Sequence, residues 1–364
     1  MEDLEVLELN KTHKMTLSDI EHKSIKLDFK DLLIEPKETT RVRTRKEVNI
    51  FDLNGKLPLF TAPMDTVVDN KNEQLFIDLG VNVCLPRGLE GQDGSFVSYS
   101  LKDFNEKIIN SNTISSASNR KRYVLIDTAN GHIEEMISSV RVAKKRWGNQ
   151  LVLMVGNVAN SKTYELLSNA GADLIRCGIG NGNGCLTTQQ LGVGYPMASL
   201  IRECYIASCS LDNPAKIVAD GGMKSYSDVI KALALGADYV MLGSIFNKSI
   251  ESCGKNYIFE NLPIPSSFAK RLHKLGFKVF KKFRGMSTKE VQKKWGNLKL
   301  KTSEGVVRIR EVEYTLEGWV DNFSSYLRSA MSYSDSFDLV EFVNKVKFIK
   351  ISENSYKRFN KWLK

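Results

Sequence analysis

Eight short strand-like runs, seven of them mainly apolar, punctuate this chain, and their spacing is the strongest constraint on its fold. They are Leu59–Ala62, Asn82–Leu85, Tyr123–Asp127, Leu151–Gly156, Leu174–Gly178, Ala215–Ala219, Tyr239–Gly243 and Lys281–Arg284. Each stops at or just before a Gly, Pro or Asp. Segments with helical periodicity, such as Ile133–Arg146, Lys162–Ala170 and Tyr226–Leu235, fill most of the intervals. Repeated βα units imply a parallel sheet covered by helices. Eight of them over about 250 residues have the size of a (β/α)8 barrel. The competing design, a doubly wound open sheet, carries its phosphate loop after the first strand; here the glycine-rich loop follows the fifth. We therefore expect an α/β protein, a (β/α)8 TIM barrel over residues 25–345, with a short polar arm before it (residues 1–24) and a basic tail after it (residues 346–364). Residues 254–282 are long and basic, and are read as an exposed helix pair or a subunit contact.

In such a barrel the C-terminal ends of the strands build the site. Here they read T-A-P-M-D-T (61–66), D-T-A-N-G-H (127–132), G-N-V (156–158), G-I-G-N-G-N-G-C (178–185), A-D-G-G (219–222), L-G-S (242–244) and R-G-M-S (284–287). Gly, Asn and Asp are also ordinary turn formers. That accounts for any one stretch, but poorly for seven at the same end of their units. The fourth is the most informative. Glycines at 178, 180, 182 and 184 let the backbone take positive φ and turn its N–H groups onto an anion such as a phosphate. Cys185 follows directly and Thr187 two residues later, so a thiol lies beside the bound anion, where it can act as a nucleophile. Asp220 suits a ribose, because one carboxylate accepts from two neighbouring hydroxyls; an Asx-turn is the plain alternative. His132 has the ring of a general base, with an ordinary pKa of about 6.5, but positioning of its loop is the better reading.

The net charge is +10, concentrated in Lys270–Lys301 and Lys345–Lys364. No nucleic-acid motif accompanies these stretches, so the charge is read as steering small anionic ligands and not as binding nucleic acid. No apolar run approaches the roughly 20 residues that cross a bilayer, and the start, M-E-D-L-E-V-L-E-L-N, lacks an apolar signal core. Cysteines at 84, 177, 185, 204, 209 and 253 form no disulfide framework, and four histidines do not support a zinc site. No membrane partner and a reducing, cytoplasmic setting are the expectation.

The loop G-I-G-N-G-N-G-C-L-T, with the G-V-G-Y-P that follows, resembles the catalytic loop G-I-G-P-G-S-x-C-x-T of the inosine monophosphate (IMP) dehydrogenase and guanosine monophosphate (GMP) reductase family. L-D-F-K-D-L-L-I-E-P (27–36) is similar to the family's entry segment, L-x-F-x-D-V-L-L-x-P. The resemblance implies roles residue by residue. Cys185 falls on the nucleophile and Thr187 on the threonine that assists it. Glu304, in T-S-E-G, falls on the proton-transfer glutamate paired with that threonine, with Lys301 where the family has Arg. Asp220 falls on the ribose-binding Asp. Gly182, Asn183, Gly222, Gly243 and Ser244 fall on the phosphate cradle, and Met286 and Ser287 on the base-contacting G-M-S. Asp127, Asn130, Gly178 and Gly180 fall on the nicotinamide side. Gly180, Gly182 and Cys185 fall where a monovalent cation such as K+ can sit, and no other metal is implied. The chain departs from the family at Asn181 (usually Pro) and at Asn183 (usually Ser, bonded to the phosphate); an Asn amide still donates. The implied ligands are GMP, IMP and NADPH, and the implied assembly is a homotetramer.

The resemblance is closer to the reductase branch. Only about 18 residues separate Gly285 from Glu304, with no Arg-Tyr pair between them, whereas the dehydrogenase flap carries that pair. About 35 residues separate Leu85 from Lys121, too few for the regulatory domain that dehydrogenases usually insert there. The stretch Y-L-R-S-A-M-S-Y (326–333) is also more like the reductase ending. Against this, C-L-P-R-G (84–88) replaces the reductases' H-K-H-Y-S, and Arg87 cannot give up a proton as Lys can. The alternatives are a dehydrogenase without its regulatory domain and a purine-nucleotide-binding protein with altered catalysis.

Overall fold

The computed structural model describes residues 25–110, 121–294 and 305–359. After a short strand β1 (Leu32–Glu35), eight strands follow: β2 (Leu59–Thr61), β3 (Cys84–Leu85), β4 (Phe96–Tyr99), β5 (Arg122–Asp127), β6 (Leu151–Val158), β7 (Leu174–Cys177), β8 (Lys216–Asp220) and β9 (Tyr239–Leu242). All pair in parallel, in the order β2-β9-β8-β7-β6-β5-β4-β3, and a bridge from Phe60 to Asn82 closes the ring. This is the expected (β/α)8 barrel.

Strand alternation builds two cores. Phe60, Cys84, Phe96, Leu125, Met154, Leu174, Val218 and Met241, one from each strand, point inward and fill the barrel. Phe60 meets Phe96 and Tyr239 edge-on, at ring separations of 5.6 and 5.0 Å, a favoured aromatic geometry. The residues between them in sequence point outward, under the helices. Helix Tyr226–Ala234 shows why these segments are helical. Ser225 and Asp228 form a capping box at its start, and Val229, Ile230, Ala232 and Leu233 bury one broad face.

One strand assignment is corrected. Lys281–Arg284 is not the eighth barrel strand; Phe96–Tyr99 completes the ring instead. Only a ten-residue turn and no helix separates β3 from β4, so the βα rhythm lapses there. Phe96 N–H bonds Val83 O at 2.8 Å, and Ser98 Oγ donates to Leu85 O at 2.6 Å. The displaced run belongs to an antiparallel sheet of β10 (Asn256–Ile258), β11 (Leu262–Ile264), β12 (Phe280–Arg284) and β13 (Val307–Glu311), in the order β11-β10-β12-β13. Residues 254–282 are therefore a hairpin, one helix (Ser266–Lys274) and a strand, and not a helix pair. Lys281 of β12 is buried and donates to Ile250 O at 2.8 Å and Ser252 O at 2.5 Å; burial pushes its pKa down to about 7. At the far end of the chain, β14 (Lys347–Lys350) pairs antiparallel with β1.

Candidate active site

A cavity of about 1150 Å3 opens over the C-terminal ends of the barrel strands, walled on one side by residues 283–287 at the end of β12. Arg284 ties that wall to the barrel through a bidentate pair with Asp65, after β2.

The loop after β7 needs its glycines. At Gly178 (φ 141°) a Cβ would lie 2.0 Å from Asp220 O, and at Gly180 (φ 82°) 1.8 Å from Thr188 Oγ1. The loop is laced to its neighbours: Gly178 N–H donates to Val158 O at 2.8 Å, and Asn181 Nδ2 to Tyr195 O at 2.8 Å. Asn181 thus fixes the turn by hydrogen bonds. Cys185 N–H donates to Gly182 O at 2.9 Å, and Cys185 forms an antiparallel bridge with Gly305. The Cys185 thiol is half-buried, lines the cavity and donates to Thr187 Oγ1 at 3.1 Å.

Below the cavity lies a charged cluster that sequence reasoning reached only in part. Arg176 of β7 is buried and donates from NH1 to Asp127 Oδ1 at 2.7 Å and from NH2 to Asp220 Oδ2 at 2.8 Å. Burial alone would lower its pKa, but the charges of Asp220 and Asp127 more than offset this and raise it. Asn157 Nδ2 also donates to Asp220 Oδ2, at 2.8 Å, and to Gly178 O at 2.8 Å. Asp220 also lines the cavity, and a carboxylate held through Oδ2 still offers Oδ1 as an acceptor. Arg87 donates to Asp127 O, and its Nε lies 3.5 Å from Asp127 Oδ2. Arg176 was missed, and Asn157 was reached only as part of the G-N-V stretch. The signal was present, since Arg176 is a charge at an inward position of an otherwise apolar strand, L-I-R-C.

On the opposite side Asn183 Nδ2 donates to Ser244 Oγ at 3.0 Å, next to Gly243; all three line the cavity, as do Gly182, Met286 and Ser287. Two expected residues are placed differently. Gly222 N–H donates to Asn181 O at 2.9 Å and is not available to a phosphate, and its neighbour Gly221 lines the cavity instead. Asn130 is exposed and Oδ1 accepts from His132 N–H at 3.1 Å, so it shapes its loop and does not line the cavity. His132 also has a structural place. Its Nε2 accepts from Ala159 N–H at 3.0 Å, leaving Nδ1 to donate to Thr163 Oγ1 at 2.8 Å, and burial lowers its pKa. Glu304 and Lys301 lie outside the described residues.

Comparison with known proteins agrees with this geometry. A family model described as IMP dehydrogenase / GMP reductase domain matches residues 117–360. The GMP reductase of Phytophthora infestans is 30% identical over 351 residues, covering 90% of this chain and 91% of that protein. An Escherichia coli GMP reductase is 31% identical over 363 residues, covering 92% and 98%. GMP reductase 2 of Mus musculus is 29% identical over 353 residues, covering 90% and 95%. With the barrel, the cysteine loop and these matches in agreement, the chain belongs to the IMP dehydrogenase / GMP reductase family.

Proposed function

We propose that this protein is a GMP reductase, converting GMP to IMP and ammonia with NADPH. The carrying observation is the Cys185–Thr187 pair at the lip of the cavity, in a chain that aligns almost end to end with GMP reductases. The short link from β3 to β4, ten residues, supports the reading of a barrel without an inserted regulatory domain.

In this reading Asp220 Oδ1 accepts the ribose hydroxyls, while Gly243, Ser244, Asn183 and Gly182 hold the phosphate and Met286 and Ser287 contact the base. The Cys185 thiolate attacks C2 of GMP. The C2–amino bond breaks, and Thr187 relays a proton so that ammonia departs. Glu304 is the proposed partner of Thr187, since its sequence neighbour Gly305 bridges Cys185. When bound, a reduced nicotinamide would supply the hydride that C2 needs. The Cys185–C2 bond then breaks and IMP leaves. The cavity floor suits that cofactor: Gly178, Gly180 and Asp127 line one continuous space with Cys185. The carbonyls of Gly180, Gly182 and Cys185 are neutral oxygens of the kind K+ takes, and replacing K+ by Na+ in the assay tests that requirement.

We assign residues 25–345 as the catalytic unit, flanked by an arm (1–24) and a tail (346–364), and propose a cytoplasmic homotetramer. Six unpaired cysteines support the reducing setting, and light scattering tests the assembly. The activity test is absorbance at 340 nm with GMP and NADPH, beside Cys185→Ala. NADPH loss with ammonia release, absent in the variant, is expected. NADH formation from IMP and NAD instead would make the protein a dehydrogenase.

A further inference from the structure

One group in the cavity floor takes no part in the chemistry above. We propose that Arg176 is a positioning residue that couples the nucleotide pocket to the cofactor pocket, one buried guanidinium holding Asp127 and Asp220 at once. The inference rests on the reading of Asp220 as ribose acceptor and Asp127 as a cofactor-side residue.

The strand register makes the bridge possible. Asp127 on β5 is opposite Gly156 on β6, and Gly156 is opposite Arg176 on β7. Arg176 reaches Asp127 across the intervening strand. A Cβ at Gly156 would lie 2.7 Å from Arg176 Cβ, so the glycine clears the path. The two terminal nitrogens then hold different carboxylates, at 2.7 and 2.8 Å. A guanidinium is planar and rigid, so a shift of one carboxylate tilts the plane and moves the other. Asn157 extends the connection, linking Asp220 Oδ2 to Gly178 O at the root of the cysteine loop. Asp127 has a second cation, Arg87, at 3.5 Å, so two arginines balance two aspartates. A residue that merely filled space would need neither the glycine nor two carboxylates on different strands.

The test is a double-mutant cycle on IMP binding, followed by calorimetry in cofactor-free protein. Asp127→Asn changes only the cofactor side, yet is expected to weaken IMP binding about five-fold or more. In an Arg176→Lys background, where a point charge cannot hold both carboxylates, the same change is expected to alter IMP affinity less than about two-fold. Asp127→Asn without effect in the parent, or with an undiminished effect in Arg176→Lys, overturns the proposal. A second measurement needs no variant at position 176. IMP affinity with and without saturating NADP+ should differ by about five-fold or more, and a ratio within about two-fold overturns the coupling. Failure of the unmodified protein to bind either IMP or GMP is a separate outcome. It sinks the reductase reading and the coupling with it, whereas normal IMP binding with no coupling sinks the coupling alone.

Discussion

Cys185 and Thr187 were legible from the sequence because their chemistry is local: two residues of spacing after a glycine nest puts Sγ within 3.1 Å of Oγ1. Arg176 was not, because its meaning lies in Asp127 and Asp220, which are 49 and 44 residues away and meet it only when strands align. Asn130 and Gly222 were read from their sequence neighbours alone, whereas in the fold a turn bond ties Asn130 Oδ1 to His132 N–H and the Gly222 N–H is tied to Asn181 O in the adjacent loop. At this scale the prediction concerns Thr187. Thr187→Ala is expected to lower kcat about 100-fold, with KM for GMP within about two-fold, in steady-state assays. An unchanged kcat would remove the threonine from proton transfer.

Barrel strands could be read by their apolar runs, since seven of the eight lie where periodicity put them. The miss arose where the chain omitted a helix, and a short run elsewhere, K-K-F-R, had the right length but charged residues and antiparallel partners. That antiparallel sheet is tied to the cysteine loop by backbone hydrogen bonds. Gly285 N–H donates to Val306 O at 3.0 Å, Val306 N–H to Gly184 O at 3.1 Å, and a Cβ at Gly285 would lie 2.3 Å from Gly184 O. Gly285→Ala is expected to cut kcat about ten-fold or more by displacing the loop; full activity would show that the wall does not position it. Lys281 makes a prediction for the same sheet. Its folded pKa of about 7 lies below the unfolded value of about 10.4. Between those values the unfolded chain binds the extra proton, so stability rises with pH across that window and is lost as pH falls towards 7. Relative to Lys281→Met, the parent should gain roughly 1–3 kcal/mol from pH 7 to 9.5 in urea unfolding. Parallel curves would show that the lysine stays charged.

Across the whole molecule, a net charge of +10 accompanies a cavity proposed to take two anionic ligands. With steering at work, kcat/KM for GMP should fall roughly 3–10-fold between 50 and 500 mM NaCl while kcat holds. A flat kcat/KM would confine the basic stretches to other duties.

The pairing of β1 with β14 has a consequence for how the molecule is made. Residues 32–35 emerge from the ribosome early, but their strand partner, residues 347–350, is translated only after the entire barrel. At about 5–20 residues per second, β1 waits tens of seconds for its partner. All eight barrel strands and the residues at their C-terminal ends are therefore synthesised while this pairing is still open.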